Sequence, residues 1–430
     1  MTTAAVGYES VYAWVKQVVG QTHRTVGRTV AWAVLCLVVA QRVTPAALAR
    51  ALPHEQAGSG RSCLRRVRRW WHGPPLEQLE ISPQLIRQAL QVHPTSQSVV
   101  VAMDTTRVGP WEVWLAGIVV SGRTMPIGWA VIPYPWPKGR YRTTTLALIR
   151  QLQGAFPPGV RWSVVADRGF PSAALFAQLR AGGTDWSIRL RLSDWGRIAG
   201  VYAKVLDHLA TGRLRVGQRT AATVGNGHAS QPLVRGWVVV SAAVAAPPRH
   251  KQNPGTQHER LVRARRHARH RQHKQGRKTT PPSALAQRYA QTWVMFTTAP
   301  TKAHAVREYA ARMAIEETFR DWPHHWAVRA ATVSLPTEAM VTRLIGIVCI
   351  AYTLQMLVGY QVSQMPDAQH RRAQWTVTGR ISWFWCGQRV FADPGYDWRT
   401  WLTQQWVRLG RLSPPALAGS LAKPELALAA

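Results

Sequence analysis

The hydrophobic pattern divides the chain into a helical opening, a strand-rich middle and a helical close. Apolar residues recur at helical spacing from residue 8 to about 93, most densely through "VAWAVLCLVVAQRVTPAALARAL" at 30–52. Within that run Thr44 supplies an N-cap and Pro45 the first position of a new helix. The segment "RSCLRRVRRWW" at 61–71 then sets Arg61, Arg65, Arg66, Arg68 and Arg69 around an apolar stripe of Leu64, Val67 and Trp71. Two readings fit: a helix-turn-helix-like DNA reader with Arg65, Arg66 and Arg69 toward DNA, or the solvated face of a helical subdomain.

From residue 98 the period changes to that of strands. "SVVVAMD" is a buried run ending in Asp104, and "WEVWLAGIVV" and "TMPIGWAVIPY" follow it, joined by the hairpin-like "SGR". A helix over about 143–156 leads to "RWSVVAD", a second buried run ending in an acid, Asp167. Buried strands keep functional groups at their ends because interior positions must be apolar, so both aspartates are expected at one sheet edge of an α/β core. Residues 186–284 alternate short strand runs such as "GWVVVSAAV" with Gly-rich turns and read as a β-rich insertion. Its last part, 249–278, holds eleven Lys or Arg and one acid, Glu259, and reads as a mobile phosphate-contacting loop. His267, His270 and His273 lie there, but no cysteine or acidic ligands accompany them as zinc would require. A strand at 291–300, a helix over about 304–321 and an apolar helix at 341–360 follow, then a Trp-rich segment and a Pro- and Ala-rich tail from Ser413 expected to be disordered. The expected organisation is therefore 1–95 helical, 96–185 first part of the core, 186–284 insertion, 285–362 second part of the core, and 363–430 C-terminal region.

Charge narrows the partner. Against 54 Lys and Arg the chain has 20 Asp and Glu, a formal charge of +34 that would repel itself without a polyanion, and nucleic acid is the first choice. A membrane is the rival, but the apolar run at 30–40 is too short to span and too far from the start for a usual signal peptide. The longer run at 344–359 is interrupted by Thr353 and Gln355 and reads as a core helix. Cys36, Cys63, Cys349 and Cys386 have no metal-ligand spacing, which suits a reducing compartment, the cytoplasm, with nucleoid association.

Among so few acids, "YAARMAIEETFRDW" at 309–322 carries three. On one helix, offsets of three, seven and eleven place Tyr309, Arg312, Glu316 and Arg320 on a common face. Glu308 and Glu317 read as solvated ion-pairing residues, and Asp321 points elsewhere. Phosphodiester chemistry needs an activated nucleophile and a stabilised leaving oxygen, and two divalent ions about 4 Å apart, held by carboxylates, provide both. Asp104, Asp167 and Glu316 supply such a set, and the opposing reading is that each aspartate is a turn residue or helix cap.

"AMDTT", "VVADRGFPS" and "YAARMAIEETFRDW" resemble the three signature regions of DDE transposases of bacterial insertion sequences, in the branch marked Y-x2-R-x3-E-x6-K. The order of helical region, strands, insertion and closing helix is similar as well, over roughly residues 20–390. The resemblance implies a ribonuclease-H-like core that binds terminal inverted repeats, pairs two ends as a homodimer on double-stranded DNA, and cuts and joins DNA. It further implies two Mg²⁺ (or Mn²⁺) ions per site, bridged by Asp104 and completed by Asp167 and Glu316. Tyr309 and Arg312 hold phosphate by the same analogy, with Arg320 and Arg168 also facing DNA and Trp237 or Trp293 stacking a base. One position departs: seven residues after Glu316 the family has lysine and this chain Pro323, which is expected to end the helix, leaving His324, His325 or Arg329 to replace the cation. A nuclease that cuts without joining, and a DNA binder whose site has decayed, are the alternatives.

Overall fold

The computed structural model describes residues 3–20, 24–52, 59–72, 76, 78–94, 98–225, 233–242, 289, 292–332, 335–365 and 382–392. The basic loop 249–278, its histidines and the tail from Ser413 lie outside these residues. In chain order, helices α1 (Thr3–Val19), α2 (Arg24–Ala40), α3 (Pro45–Arg50), α4 (Gly60–Trp71) and α5 (Gln78–Val92) precede strands β1 (Val99–Val108), β2 (Trp111–Val120) and β3 (Arg123–Pro133). Helix α6 (Arg140–Ala155), strand β4 (Trp162–Ala166) and helix α7 (Ala173–Ala181) come next. Then follow β5 (Asp185–Arg189), β6 (Trp195–Ile198), β7 (Val201–Lys204), α8 (Val205–Ala210), β8 (Arg219–Val224), β9 (Val234–Ser241), β10 (Trp293–Thr297) and α9 (Lys302–Ala311). Helices α10 (Met313–His325), α11 (Val328–Thr332), α12 (Glu338–Ser363) and α13 (Trp383–Ala392) close the described chain.

The chain forms two compact units: Met1–Phe170 with Ala174–Trp186 and Ala311–Ala430, and Pro171–Ala173 with Ser187–Ala310. In the first, a mixed sheet runs β3-β2-β1-β4, with β1 antiparallel to β2 and parallel to β4. Strand β2 is buried along nearly its whole length, so apart from Glu112 it reads as an apolar run rather than an alternating one. Its pairing with β3 slips between Ala116 and Gly117, where a Cβ on Gly117 would stand 2.8 Å from that of Thr124. Helices α5, α6, α10 and α12 pack on β3.

Helix α12 is the spine of this unit. It is long and apolar enough to cross a membrane, yet 94% of its apolar window is buried inside the protein, as in a core helix. Helices α2 and α13 lie against it, and a Cβ on Gly359 or Gly387 would run into the backbone carbonyl of Trp383 or Gln355 on the facing helix. Thr44 caps α3 through the amide of Ala47, as its sequence signals. Helix α4 buries Cys63, Val67, Trp70 and Trp71 and turns Arg65 and Arg69 to solvent, with Arg66 half-buried.

In the second unit an antiparallel sheet runs β5-β10-β9-β8-β6-β7. Helix α9 covers one end of it, where Ala305 and Tyr309 pack with Val239, Met295 and Ala299. Glu308, expected in solvent, is instead buried: Ser187 Oγ donates to it at 2.6 Å and His304 Nε2 lies 3.2 Å away. Its partners come from 121 residues away and one turn away, and together they offset the cost of its burial.

Candidate active site

The parallel ladder between β1 and β4 runs from Val99 opposite Trp162 to Met103 opposite Ala166. Asp104 and Asp167 are the next residues on each strand, so two neighbouring strands present a carboxylate at the same level. Strand β1 does not stop there as the sequence suggested. It continues to Val108 because β2 still pairs with it, Asp104 lying opposite Leu115. Only its pairing with β4 ends, and that frees one side of Asp104 for the site.

The third acid arrives from α10. Arg312 Nη1 donates to Asp104 Oδ2 at 2.8 Å, and its Nη2 donates to Glu316 Oε1 at 2.6 Å. One guanidinium thus joins two acids from different elements, with 9% of the arginine side chain exposed against 19% for Asp104 and 40% for Glu316. Arg312 also interrupts the helix: α9 ends at Ala311, α10 begins at Met313, and the Ile315 amide bonds back to the Arg312 carbonyl. The single helix expected over 304–321 is therefore two, and the shared face does not run through the break. Sequence periodicity shows no such break, since Ala-rich "YAARMAIEE" is helix-forming throughout.

Electrostatics single out Asp104. Burial pushes its acid up to about 6, Arg312 and the Thr105 amide pull it back, and the negative charges of Asp167 and Glu316 raise it again. Asp104 therefore senses both of the other acids. Arg168, next to Asp167, is exposed.

Other expected residues fall elsewhere. Arg320 is half exposed and pairs with Glu317, not with Asp104 or Glu316. Tyr309 is 2% exposed in the core of the second unit, its ring edge-on to Trp293 at 4.8 Å. Trp237 lies 36% exposed on β9 beneath the guanidinium of Arg219. Pro323 does not end the helix, which reaches His325; the proline is exposed, so water can replace the amide it lacks. His325 sits among the rings of Phe384 and Trp385, and Arg329 is exposed. His324's side chain lies outside the described residues.

Sequence reasoning missed what holds α10 in place. Asp321, 4% exposed, accepts from Arg123 Nε at 2.9 Å and from the Tyr352 hydroxyl at 2.8 Å. One turn earlier, Thr318 Oγ1 accepts from the Thr124 amide at 2.9 Å. These bonds tie the Glu316 helix to the start of β3 and to α12. Their partners lie 194, 198 and 31 residues away, and no local signal could have announced them.

An acid within β1, level with the acid that follows β4 and bonded through a buried arginine to a helical acid, marks a mixed α/β protein with an acid–arginine centre. The sequence matches the transposase DDE domain family over residues 118–354, more than half of its 430 residues. The chain belongs to that family, one of transposase enzymes. The matched stretch includes Asp167, Arg312 and Glu316 and begins after Asp104. No curated protein matches the chain.

Such enzymes generally use divalent metal ions, and the donor chemistry here fits: three carboxylates, hard oxygen ligands, one of them held at a raised pKa where added positive charge would be welcome. In the arrangement described, no three His, Cys, Asp or Glu among the described residues lie close enough to hold a metal. Electrostatic influence reaches further than ligation, and Arg312 stands between two of the three donors.

Proposed function

We propose that this protein is a DNA transposase of the branch marked Y-x2-R-x3-E-x6-K, with a ribonuclease-H-like core and an N-terminal DNA-binding region. It binds the terminal inverted repeats of its element, pairs two ends as a homodimer, and cuts and joins DNA in the cytoplasm. Asp104, Asp167 and Glu316 are its acids. The observation that carries this reading is the double engagement of Arg312, at 2.8 Å to Asp104 and 2.6 Å to Glu316, beside a strand register that brings Asp167 level with Asp104.

Asp104, Asp167 and Glu316 would hold Mg²⁺ or Mn²⁺, which when bound activates the attacking oxygen and absorbs charge on the leaving one. The chain's own groups do the rest. Asp104 is partly buried, so charges near it act more strongly than they would in water. Arg312 neutralises the acids at rest and offers a planar fork suited to a phosphate when DNA enters. The node of Asp321, Arg123 and Tyr352 fixes the helix that carries Glu316. Arg65, Arg66, Arg69, Arg168 and Arg320 contact DNA phosphates.

The test is an assay with Mg²⁺ and a duplex carrying the element's own ends. Wild type should release the ends and join them to target. Asp104→Ala should do neither while still binding DNA. Cleavage without joined product would reduce the reading to a nuclease, and cleavage by Asp104→Ala would remove the site.

A further inference from the structure

Helix α4 carries five arginines and no acid in twelve residues. Arg61 and Arg65, and Arg65 and Arg69, lie one turn apart, where like charges repel each other. Ser59 caps the start of the helix by accepting from the Ser62 amide at 3.3 Å. Burial of Cys63, Val67, Trp70 and Trp71 turns Arg65, Arg68 and Arg69 outward, and among the described residues these three make no ion pair.

The other end of α4 is held from far along the chain. Carbonyls in the last turn of a helix lack a partner within it, and Pro74, four residues after Trp70, has no N–H to offer. Trp70 is 3% exposed, so its carbonyl needs a protein donor, and Arg343 Nε on α12 supplies one from 273 residues away. Arg343 is itself 2% exposed, and burial lowers its pKa. A guanidinium in such a place is costly, and the negative end of the α4 dipole offsets part of that cost.

Helix α12 makes a second tie. Tyr352, nine residues after Arg343, donates to Asp321 on the helix that carries Glu316. At about 100° per residue, nine residues make a half turn, so α12 holds α4 on one side and α10 on the other, about 13 Å apart along its axis. Gly346, one turn after Arg343, admits the segment that follows α4: a Cβ there would stand 3.0 Å from Leu76 and 2.8 Å from the Trp129 ring.

We propose that Arg343 is a positioning residue for DNA binding: its bond to the Trp70 carbonyl fixes the outward face of α4, so that Arg65, Arg66 and Arg69 meet the phosphates of one duplex together. This rests on the reading of α4 as a DNA-contacting helix and adds what aims it.

The test uses the full chain in a chelator, with fluorescence anisotropy on a labelled duplex of arbitrary sequence across a salt series. Two substitutions of similar size differ in whether they can donate. In Arg343→Gln the side-chain amide nitrogen takes the place of Nε and can still bond Trp70; in Arg343→Met nothing can. Replacing Arg65, Arg66 and Arg69 together by Gln should lower the salt slope by about 2 to 3. Arg343→Met should lower it by about 1 or more and Arg343→Gln by less than about 0.5, and Arg343→Met added to the triple variant should change it no further. A side chain that only stabilised the fold would reduce the fraction of active chain and leave the slope of the rest unchanged. A wild-type slope for Arg343→Met, equal losses for Met and Gln, or a further loss on top of the triple variant would overturn the proposal. Should Arg343→Met fail to fold, Gly346→Ala, whose methyl presses on Leu76, takes its place: a slope lower by about 1 supports the proposal, and an unchanged slope overturns it. A wild-type slope for the triple variant would remove α4 from the DNA and this proposal with it, while the catalytic reading, tested by cleavage with Asp104→Ala, would stand.

Discussion

Arg312 Nη1 lies 2.8 Å from Asp104 Oδ2 although 208 residues separate them, and the same guanidinium reaches Glu316 at 2.6 Å. A buried positive charge thus stands where clustered carboxylates would otherwise repel one another. The arrangement has consequences that can be measured.

Removing Arg312 should separate stability from metal affinity. Arg312→Gln leaves two partly buried carboxylates without their cation, and a loss of about 2–4 kcal/mol is expected in urea unfolding. The same change clears the space between two donors, so Mn²⁺ titration without DNA should show at least roughly tenfold tighter binding than wild type. Unchanged or weaker Mn²⁺ binding would mean that the guanidinium does not compete with cations.

The raised acid of Asp104 makes stability fall with pH. Its folded pKa, about 6, exceeds the ordinary 3.8, so between these values the folded state holds more protons than the unfolded one. The contribution is full below about pH 4 and is lost as pH rises through 6. In chelator, wild type should lose up to about 2–3 kcal/mol across that window, a slope that Asp104→Asn should largely abolish. The variant should also be more stable than wild type at pH 7, as expected of a residue kept for function. A flat wild-type profile would show that burial does not act on this group.

Asp321 should prove a positioning residue. Asp321→Ala strands Arg123 and the Tyr352 hydroxyl in a buried place and should cost about 3–5 kcal/mol in denaturant unfolding. Tyr352→Phe removes one hydrogen bond and should cost about 1–2 kcal/mol. A double-mutant cycle between the two sites should show coupling, whereas strict additivity would contradict a shared node.

Pro323→Lys should gain on two counts. The position is exposed within α10, so restoring an amide and a helix-forming side chain should stabilise the fold by about 1–3 kcal/mol. If this position faces DNA, the salt slope of end binding should steepen by about 0.9. A gain in stability with no change in slope would place the position away from the DNA.

The strands that carry the aspartates were legible because "VVVAM" and "WSVVA" are short, mostly apolar runs followed by an acid. That β1 continues past Asp104 was not legible, since "TTRV" carries no signal stronger than the pairing β2 offers it. The candidate acids were readable one by one, but the hydrogen bond that carries Arg312 from Glu316 to Asp104 depends on a strand far away in the chain. Glu308 read as a solvated charge, and Asp321 only as pointing away from the site, for the same reason: Ser187, Arg123 and Tyr352, which make their burial tolerable, are local to neither. Pro323 misled in the opposite direction, because a rule for helix interiors was applied three residues from the helix end, on its solvent side.

The central claim is that Asp104, Asp167 and Glu316 act as one catalytic unit on DNA. Its most direct test is Mg²⁺-dependent release of a duplex element end by wild type and by Asp104→Ala, Asp167→Ala and Glu316→Ala, with end binding measured on the same samples. Each single variant should lose roughly a thousandfold in cleavage, the triple variant should be little worse than any one, and DNA affinity should stay within about threefold throughout. Cleavage within tenfold of wild type in any one of the three would contradict it.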